Sequence, residues 1–215
     1  MLKHERTERH YRTPSHIVKA LLKREHFPGL VWEPAAGRGD IVMALHACGY
    51  SNVIASDSND WGFQPCFTED FFTSQRLVDC VLTNPPFDLK NEFLQHAKQV
   101  ARFKIALLLP ITFEMTRPFI LGHERDAEYA WKALYSFPQA IPWLNLTQKP
   151  GKLYCGWFVF ERGYSGPVIR QKILFQRNPA FAPGQTPYAP DGFVPYDLAA
   201  SYWAESRVGS GSGPG

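Results

Sequence analysis

A chain of 215 residues that is 45% hydrophobic and 14% aromatic can build the core of one ordinary domain, or of one domain with a small insertion. Its formal net charge of +3 permits a nucleic-acid partner without demanding one, and it excludes the strongly basic footprint of a binder driven by charge alone. The four cysteines, Cys48, Cys66, Cys80 and Cys155, form no C-x-x-C pair and the seven histidines show no metal spacing, which excludes a zinc ribbon and a dense disulfide framework.

Residues 1–12 are charged and lack apolar periodicity, so they read as a flexible arm. That start is too charged for a secretory signal, and no apolar run is long enough to cross a bilayer. The expectation is a cytoplasmic protein with reduced thiols, no membrane partner and no metal. Thr13-Pro14-Ser15 predicts a helix start, with a hydroxyl N-cap and with Ile17, Val18, Leu21 and Leu22 on one face. Leu30-Val31-Trp32 is a short strand that stops at Glu33-Pro34, and a helix follows from Asp40 to a stop at Gly49. Val53-Ile54-Ala55 and Val78 to Thr83 are strand-like, Leu89 to Val100 is helical, and Ile105 to Leu109 is a buried strand. Such alternation predicts a mostly parallel sheet with helices on both faces, an α/β fold. The pattern loosens from 111 to about 150, and Leu153 to Glu161 reads as a strong strand. From about 176 the chain is rich in proline, glycine and aromatics, and it ends in GSGSGPG, whose composition is that of a linker. The expected organisation is an arm at 1–12, a domain at 13–175 with a candidate target-recognition insertion at 111–152, and an irregular tail at 176–215.

Three strand ends hold the chemistry. Glu33-Pro34-Ala35-Ala36-Gly37-Arg38-Gly39-Asp40 links a strand to a helix, and Gly37 and Gly39 let the backbone turn tightly and approach a ligand. Position 42 is Val42, so the third glycine of a dinucleotide fingerprint is absent, and a plain tight connection is the alternative. Asp57 ends the next strand, where a carboxylate can accept from two ribose hydroxyls, although Ser-Asp-Ser-Asn-Asp is also good turn composition. Asn84-Pro85-Pro86-Phe87 ends the third. The prolines fix the backbone, and the Asn84 side-chain carbonyl and Pro85 backbone carbonyl can accept both hydrogens of an –NH2 group, leaving its lone pair aimed at an incoming methyl. Phe87 offers a flat face on which stacking of a base is worth about 1–3 kcal/mol.

The order VWEPAAGRGD, ASDSND, TEDFF, TNPPF resembles the S-adenosylmethionine-dependent amino-methyltransferases that carry an N/D-P-P-Y/F motif. Thr13-Pro14 ahead of the glycine loop is similar to the gamma order of DNA adenine-N6 methyltransferases, and Cys155 to Gly163 is similar to a segment of small phage and prophage enzymes. The resemblance spans roughly residues 11 to 170, loosely between 111 and 150. It implies a Rossmann-like class I methyltransferase fold, S-adenosylmethionine as cofactor, and methylation of adenine N6 in DNA. It also implies roles: Thr13 beside Pro14 would hold the methionine carboxylate, while Glu33, Pro34 and the backbone at Ala35, Gly37 and Gly39 would line the methionine and sugar. Asp57 with Ser58 would take the ribose, and Asp70 would accept from the cofactor adenine amine with Phe71 packed nearby. Asn84, Pro85, Pro86 and Phe87 would form the catalytic motif.

Phe87 departs from the tyrosine usual in DNA enzymes, and NPPF also occurs in enzymes that methylate RNA adenine or guanine, so RNA is the alternative partner. A protein-glutamine substrate is disfavoured by Thr13-Pro14, and a silent cofactor-binding module by the intact motif. No separate target-recognition domain fits this length. Candidate contacts to a nucleic acid are confined to Arg117, Arg125, Lys132, Trp143, Asn145, Lys149 and Lys152, for which an ordinary solvated loop is the competing reading.

Overall fold

Neighbouring residues of a strand face opposite sides of a sheet, so a strand apolar at every position needs cover on both. Ile105 to Leu109 is such a run, and every residue in it is fully buried. The computed structural model describes residues 11–124, 126–141, 143 and 153–174. In chain order it contains α1 (Ser15–Leu22), β1 (Val31–Glu33), α2 (Asp40–Ala47), β2 (Val53–Asp57), β3 (Phe67–Thr68), β4 (Val78–Thr83), α3 (Lys90–Val100), β5 (Ala101–Pro110), β6 (Tyr129–Ser136), β7 (Cys155–Arg162) and β8 (Ile169–Lys172). Short 3-10 turns lie at Phe71–Thr73, Phe87–Leu89 and Ile111–Met115, and a π-turn at Phe119–His123.

The eight strands form one sheet in the order β3-β2-β1-β4-β5-β7-β6-β8. All pairings are parallel except those of β7, which runs antiparallel between β5 and β6. Alternate residues feed two layers. Val31, Cys80, Leu82, Ala106, Leu108, Trp157 and Val159 pack with Ile17 and Leu21 of α1 and Ile41 and Leu45 of α2. Trp32, Val81, Ile105, Leu107, Phe158 and Phe160 pack with Phe93, Leu94 and Ala97 of α3. The predicted mostly parallel sheet with helices on both faces is therefore present.

Some local readings are corrected. The N-cap of α1 is Pro14, with φ −64° and ψ 138°, and no side chain caps the helix; the Thr13 hydroxyl points elsewhere. The supposedly loose stretch 111–152 supplies β6, whose Tyr129, Trp131, Ala133 and Tyr135 are buried, so its middle belongs to the sheet. Lys132 on β6 is no free phosphate contact. Its Nζ donates to Glu25 Oε2 at 3.0 Å and Glu161 Oε2 at 2.8 Å, while Lys104 Nζ donates to the same Glu25 oxygen at 2.8 Å. Burial opposes the charge on Glu25, and the two lysines still hold its carboxyl below the ordinary range. No helix among the described residues is long and apolar enough to cross a membrane.

Candidate active site

The chain leaves β1 toward β2 and β3 on one side, then returns to lay β4 on the other, so the topology switches between β1 and β4. Ligands of open α/β sheets bind beyond the carboxyl ends of the strands at such a point. Glu33 ends β1, Asp57 ends β2, and Asn84 follows β4 directly.

The loop after β1 wraps tightly. Ala36 N donates to Ser56 O at 2.9 Å, and Gly37, at φ 53°, donates its N–H to Asp57 Oδ2 at 2.9 Å. Gly39 takes φ 78° as the N-cap of α2, and a Cβ on it would stand 2.3 Å from the Phe63 ring. Neither feature tolerates another residue easily. Arg12 clamps the same helix start, with Nε to Asp40 Oδ2 at 2.9 Å and Nη2 to Oδ1 at 2.7 Å.

Glu33 is fully buried. Burial pushes its carboxyl up to about 8; the Thr83 side chain and the Ala35 N–H, which donates to Oε1 at 3.0 Å, pull the other way, and Asp57 adds to the rise. Thr83 lies close enough to favour the charge, yet neither its Oγ1 nor Glu33 Oε2 finds a partner in hydrogen-bond geometry. Asp57 is nearly buried and well supplied: beyond Gly37, its Oδ1 accepts from Asn59 N and from Trp61 Nε1, both at 3.0 Å. Ser58 beside it is exposed, and its Oγ accepts from Asn59 Nδ2 at 3.2 Å.

Asp70 follows β3, exposed, with Oδ1 accepting from Phe72 N at 3.0 Å. Phe71 follows Asp70 directly. It is a core residue, edge-on to Trp32 at 5.1 Å and stacked on Phe93 at 4.9 Å, so its ring faces inward rather than toward a ligand. Burial also pushes the nearby Cys66 thiol up to about 11, helped by Asp57 and Glu33, which keeps it protonated.

In the NPPF segment Pro85 is buried, and Pro86 caps the 3-10 turn that carries Phe87. Asn84 Nδ2 donates to Tyr11 O at 3.0 Å and to Thr13 Oγ1 at 3.1 Å. Asn84 Oδ1 is buried without a partner. Thr13, expected at the methionine carboxylate, is thus joined to the NPPF motif. Phe87 stacks on Tyr11 with centroids 5.5 Å apart and planes 20° apart, and Trp143 stands 5.1 Å from Tyr11 and 6.3 Å from Phe87. Trp143 is therefore brought to the motif, and Tyr11 joins it without having been singled out in the sequence. Arg117 is exposed, and among the described residues no contact links it to these rings. Arg125, Asn145, Lys149 and Lys152 lie outside the described residues. None of these site residues lines the cleft of about 510 Å3 beside Lys19, Lys23, Tyr50 and Asn52.

No protein-family model matches the chain, and no curated protein matches it in sequence. Solved structures do match its fold. A candidate RNA methyltransferase from Pyrococcus horikoshii aligns with a TM-score of 0.58 at 20% identity, covering 72% of this chain and 87% of that one. The modification subunit of a candidate type I restriction enzyme from Vibrio vulnificus gives 0.53 at 15% identity over 91% of this chain and 53% of its own. A 23S rRNA methyltransferase gives 0.53 at 13% identity over 71% and 69%. In fold, the chain is a Rossmann-like α/β protein, similar to these methyltransferases.

Proposed function

We propose that this protein transfers a methyl group from S-adenosylmethionine to an exocyclic amino nitrogen of a nucleic-acid base, N6 of adenine in DNA. The observation that supports it most is Asn84 Oδ1, a buried acceptor without a partner beside an aromatic face at the switch point. Leaving such an atom unpaired costs roughly 1–3 kcal/mol, a cost that an incoming N–H removes.

The residues fit the cofactor by their chemistry. Glu33 Oε2 is an orphan oxygen suited to a cationic ammonium, Gly37 adds no side chain to the loop between Glu33 and Asp57, and Asp57 is suited to ribose hydroxyls. Asp70 stands at the carboxyl edge for an adenine amine, with Ser58 near the ribose. The bound sulfonium supplies a methyl already activated for transfer, so the protein's task is alignment. Asn84 Oδ1 and the Pro85 carbonyl accept the two amine hydrogens and hold the lone pair toward the donor. Phe87 stacks on the target ring, in the place where the Tyr11 ring now lies, and Trp143 borders it.

Labelled S-adenosylmethionine with unmethylated DNA and, separately, RNA tests the reading, with nucleosides resolved by mass spectrometry. N6-methyladenine in DNA is expected, and Asn84→Ala is expected to reduce turnover by about 100-fold or more while cofactor affinity stays within twofold. Label confined to RNA selects the second reading, which the phenylalanine at position 87 and the ribosomal-RNA enzyme among the fold neighbours favour. Cofactor binding without transfer to either refutes both.

A further inference from the structure

We infer that Thr13 and the Tyr11 carbonyl are positioning groups for the target amine, because they set which end of the Asn84 amide faces the substrate. The inference rests on the role proposed above for Asn84. An asparagine amide can sit in two orientations related by a half-turn, and only one presents an acceptor to an –NH2 group. The Tyr11 carbonyl can only accept, so the Asn84 atom 3.0 Å from it is the nitrogen. Thr13 Oγ1, 3.1 Å from the same nitrogen, takes its second hydrogen. Both donors are thereby spent, and Oδ1 is left as the group turned away from the clasp, buried and unpaired. Turning the amide over would set oxygen against the Tyr11 carbonyl oxygen and N–H against the hydrogens of the incoming amine.

The clasp is rigid because it is tied at both ends. Thr13 is almost fully buried, and Pro14 after it confines its backbone to extended conformations. Pro14 caps α1, whose Ile17, Val18 and Leu21 are fully buried, so the helix cannot drift. On the other side the two hydrogen bonds from Arg12 to Asp40 fasten the segment to the first residue of α2, at the end of the glycine loop. The three residues 11–13 therefore bridge the expected cofactor loop and the expected target motif, and alignment of donor and acceptor passes through them.

The test compares wild type with Thr13→Val, Thr13→Ser and Thr13→Ala by two independent measurements. The first is the nuclear magnetic resonance signal of the Asn84 side-chain NH2, assigned with Asn84→Asp, in the protein with bound S-adenosylhomocysteine. Two hydrogen-bonded protons are expected in wild type and Thr13→Ser, and one proton that shifts and exchanges faster in Thr13→Val and Thr13→Ala. The second is single-turnover methyl transfer at saturating cofactor and nucleic acid. Thr13→Val is expected to lose about five- to tenfold in rate, the factor supplied by one ordinary hydrogen bond, with S-adenosylhomocysteine affinity by calorimetry within twofold and the rate restored in Thr13→Ser. A tenfold loss of affinity with an unchanged amide signal would overturn the inference and return Thr13 to the methionine carboxylate. If wild type transfers no methyl to any nucleic acid, the proposed function falls, and the amide signal still decides the clasp.

Discussion

Replacing Glu33 with glutamine is expected to flatten the dependence of stability on pH in the cofactor-free protein. The Glu33 carboxyl rises from 4.5 to about 8 because it is wholly buried, which outweighs the Thr83 and Ala35 interactions that favour its charge. A group whose folded pKa is raised binds more protons folded than unfolded. Its contribution is complete below about 4.5 and is lost as pH rises through about 8. Within that window the slope is about 1.4 kcal/mol per pH unit, so wild type is expected to lose about 3 kcal/mol from this group between pH 5 and 8. Glutamine keeps the shape and does not titrate. Urea unfolding of both proteins at several pH values isolates the effect, because the half-buried His16 and the buried His123, each lowered to about 4 mainly by loss of solvent, titrate alike in both and cancel. With a urea slope of about 2 kcal/mol per molar, the gap between the two midpoints should change by about 1.5 M across the range. A gap that stays constant would show Glu33 ionised throughout and would remove the argument that this site awaits a cation.

Two further outcomes follow from the loops around it. Gly39→Ala is expected to cost about 1–3 kcal/mol of stability by chemical denaturation, since alanine meets both φ 78° and the Phe63 ring; a loss under 0.5 kcal/mol would mean that the ring moves freely. Asp57→Asn is expected to destabilise the cofactor-free protein by about 1.5–3 kcal/mol as well as weaken cofactor binding, because it places an NH2 where Gly37, Asn59 or Trp61 already donates. Weakened binding with unchanged melting would confine Asp57 to the ligand.

What could be read along the chain depended on how far away the decisive partner lay. The glycine turn, Asp57 and Asn84-Pro85-Pro86-Phe87 were legible because each closes a strand, and a parallel sheet gathers the carboxyl ends of its strands on one side. Tyr11 and Arg12 were not, since their partners Asn84 and Asp40 stand 73 and 28 residues away and nothing in a charged N-terminal stretch announces them. β6 was missed because a bulge at Lys132 splits its pattern, with Tyr129 and Trp131 packed on one face of the sheet and Ala133 and Tyr135 on the other; the charge of Lys132 is matched by Glu25, 107 residues distant, and by Glu161. β8 escaped for a different reason: all four of its residues are exposed at the sheet edge, so no buried face marks the pattern. The core contacts of Phe71 with Trp32 and Phe93 could not be read either, because an aromatic after Asp70 suits a ligand as well as a core.

Polar satisfaction divides the site into two kinds of group. Asp57 already accepts from Gly37, Asn59 and Trp61, and the Phe87 face already has the Tyr11 ring, so any ligand there must replace an internal partner and the net gain is small. Asn84 Oδ1 has nothing to lose, and against full burial Glu33 has only the Ala35 N–H and the adjacent Thr83 side chain. These groups lie at the carboxyl ends of the adjacent strands β1 and β4, on either side of the switch point. A folded protein keeps buried orphans sparingly, because each costs free energy in the absence of a ligand. On the reading proposed above, a ligand gains most there by pairing Glu33 and Asn84 Oδ1, while the satisfied Asp57 at β2 adds less. Glu33 would then face the charged donor and Asn84 the flat acceptor, and transfer requires the two to meet in line.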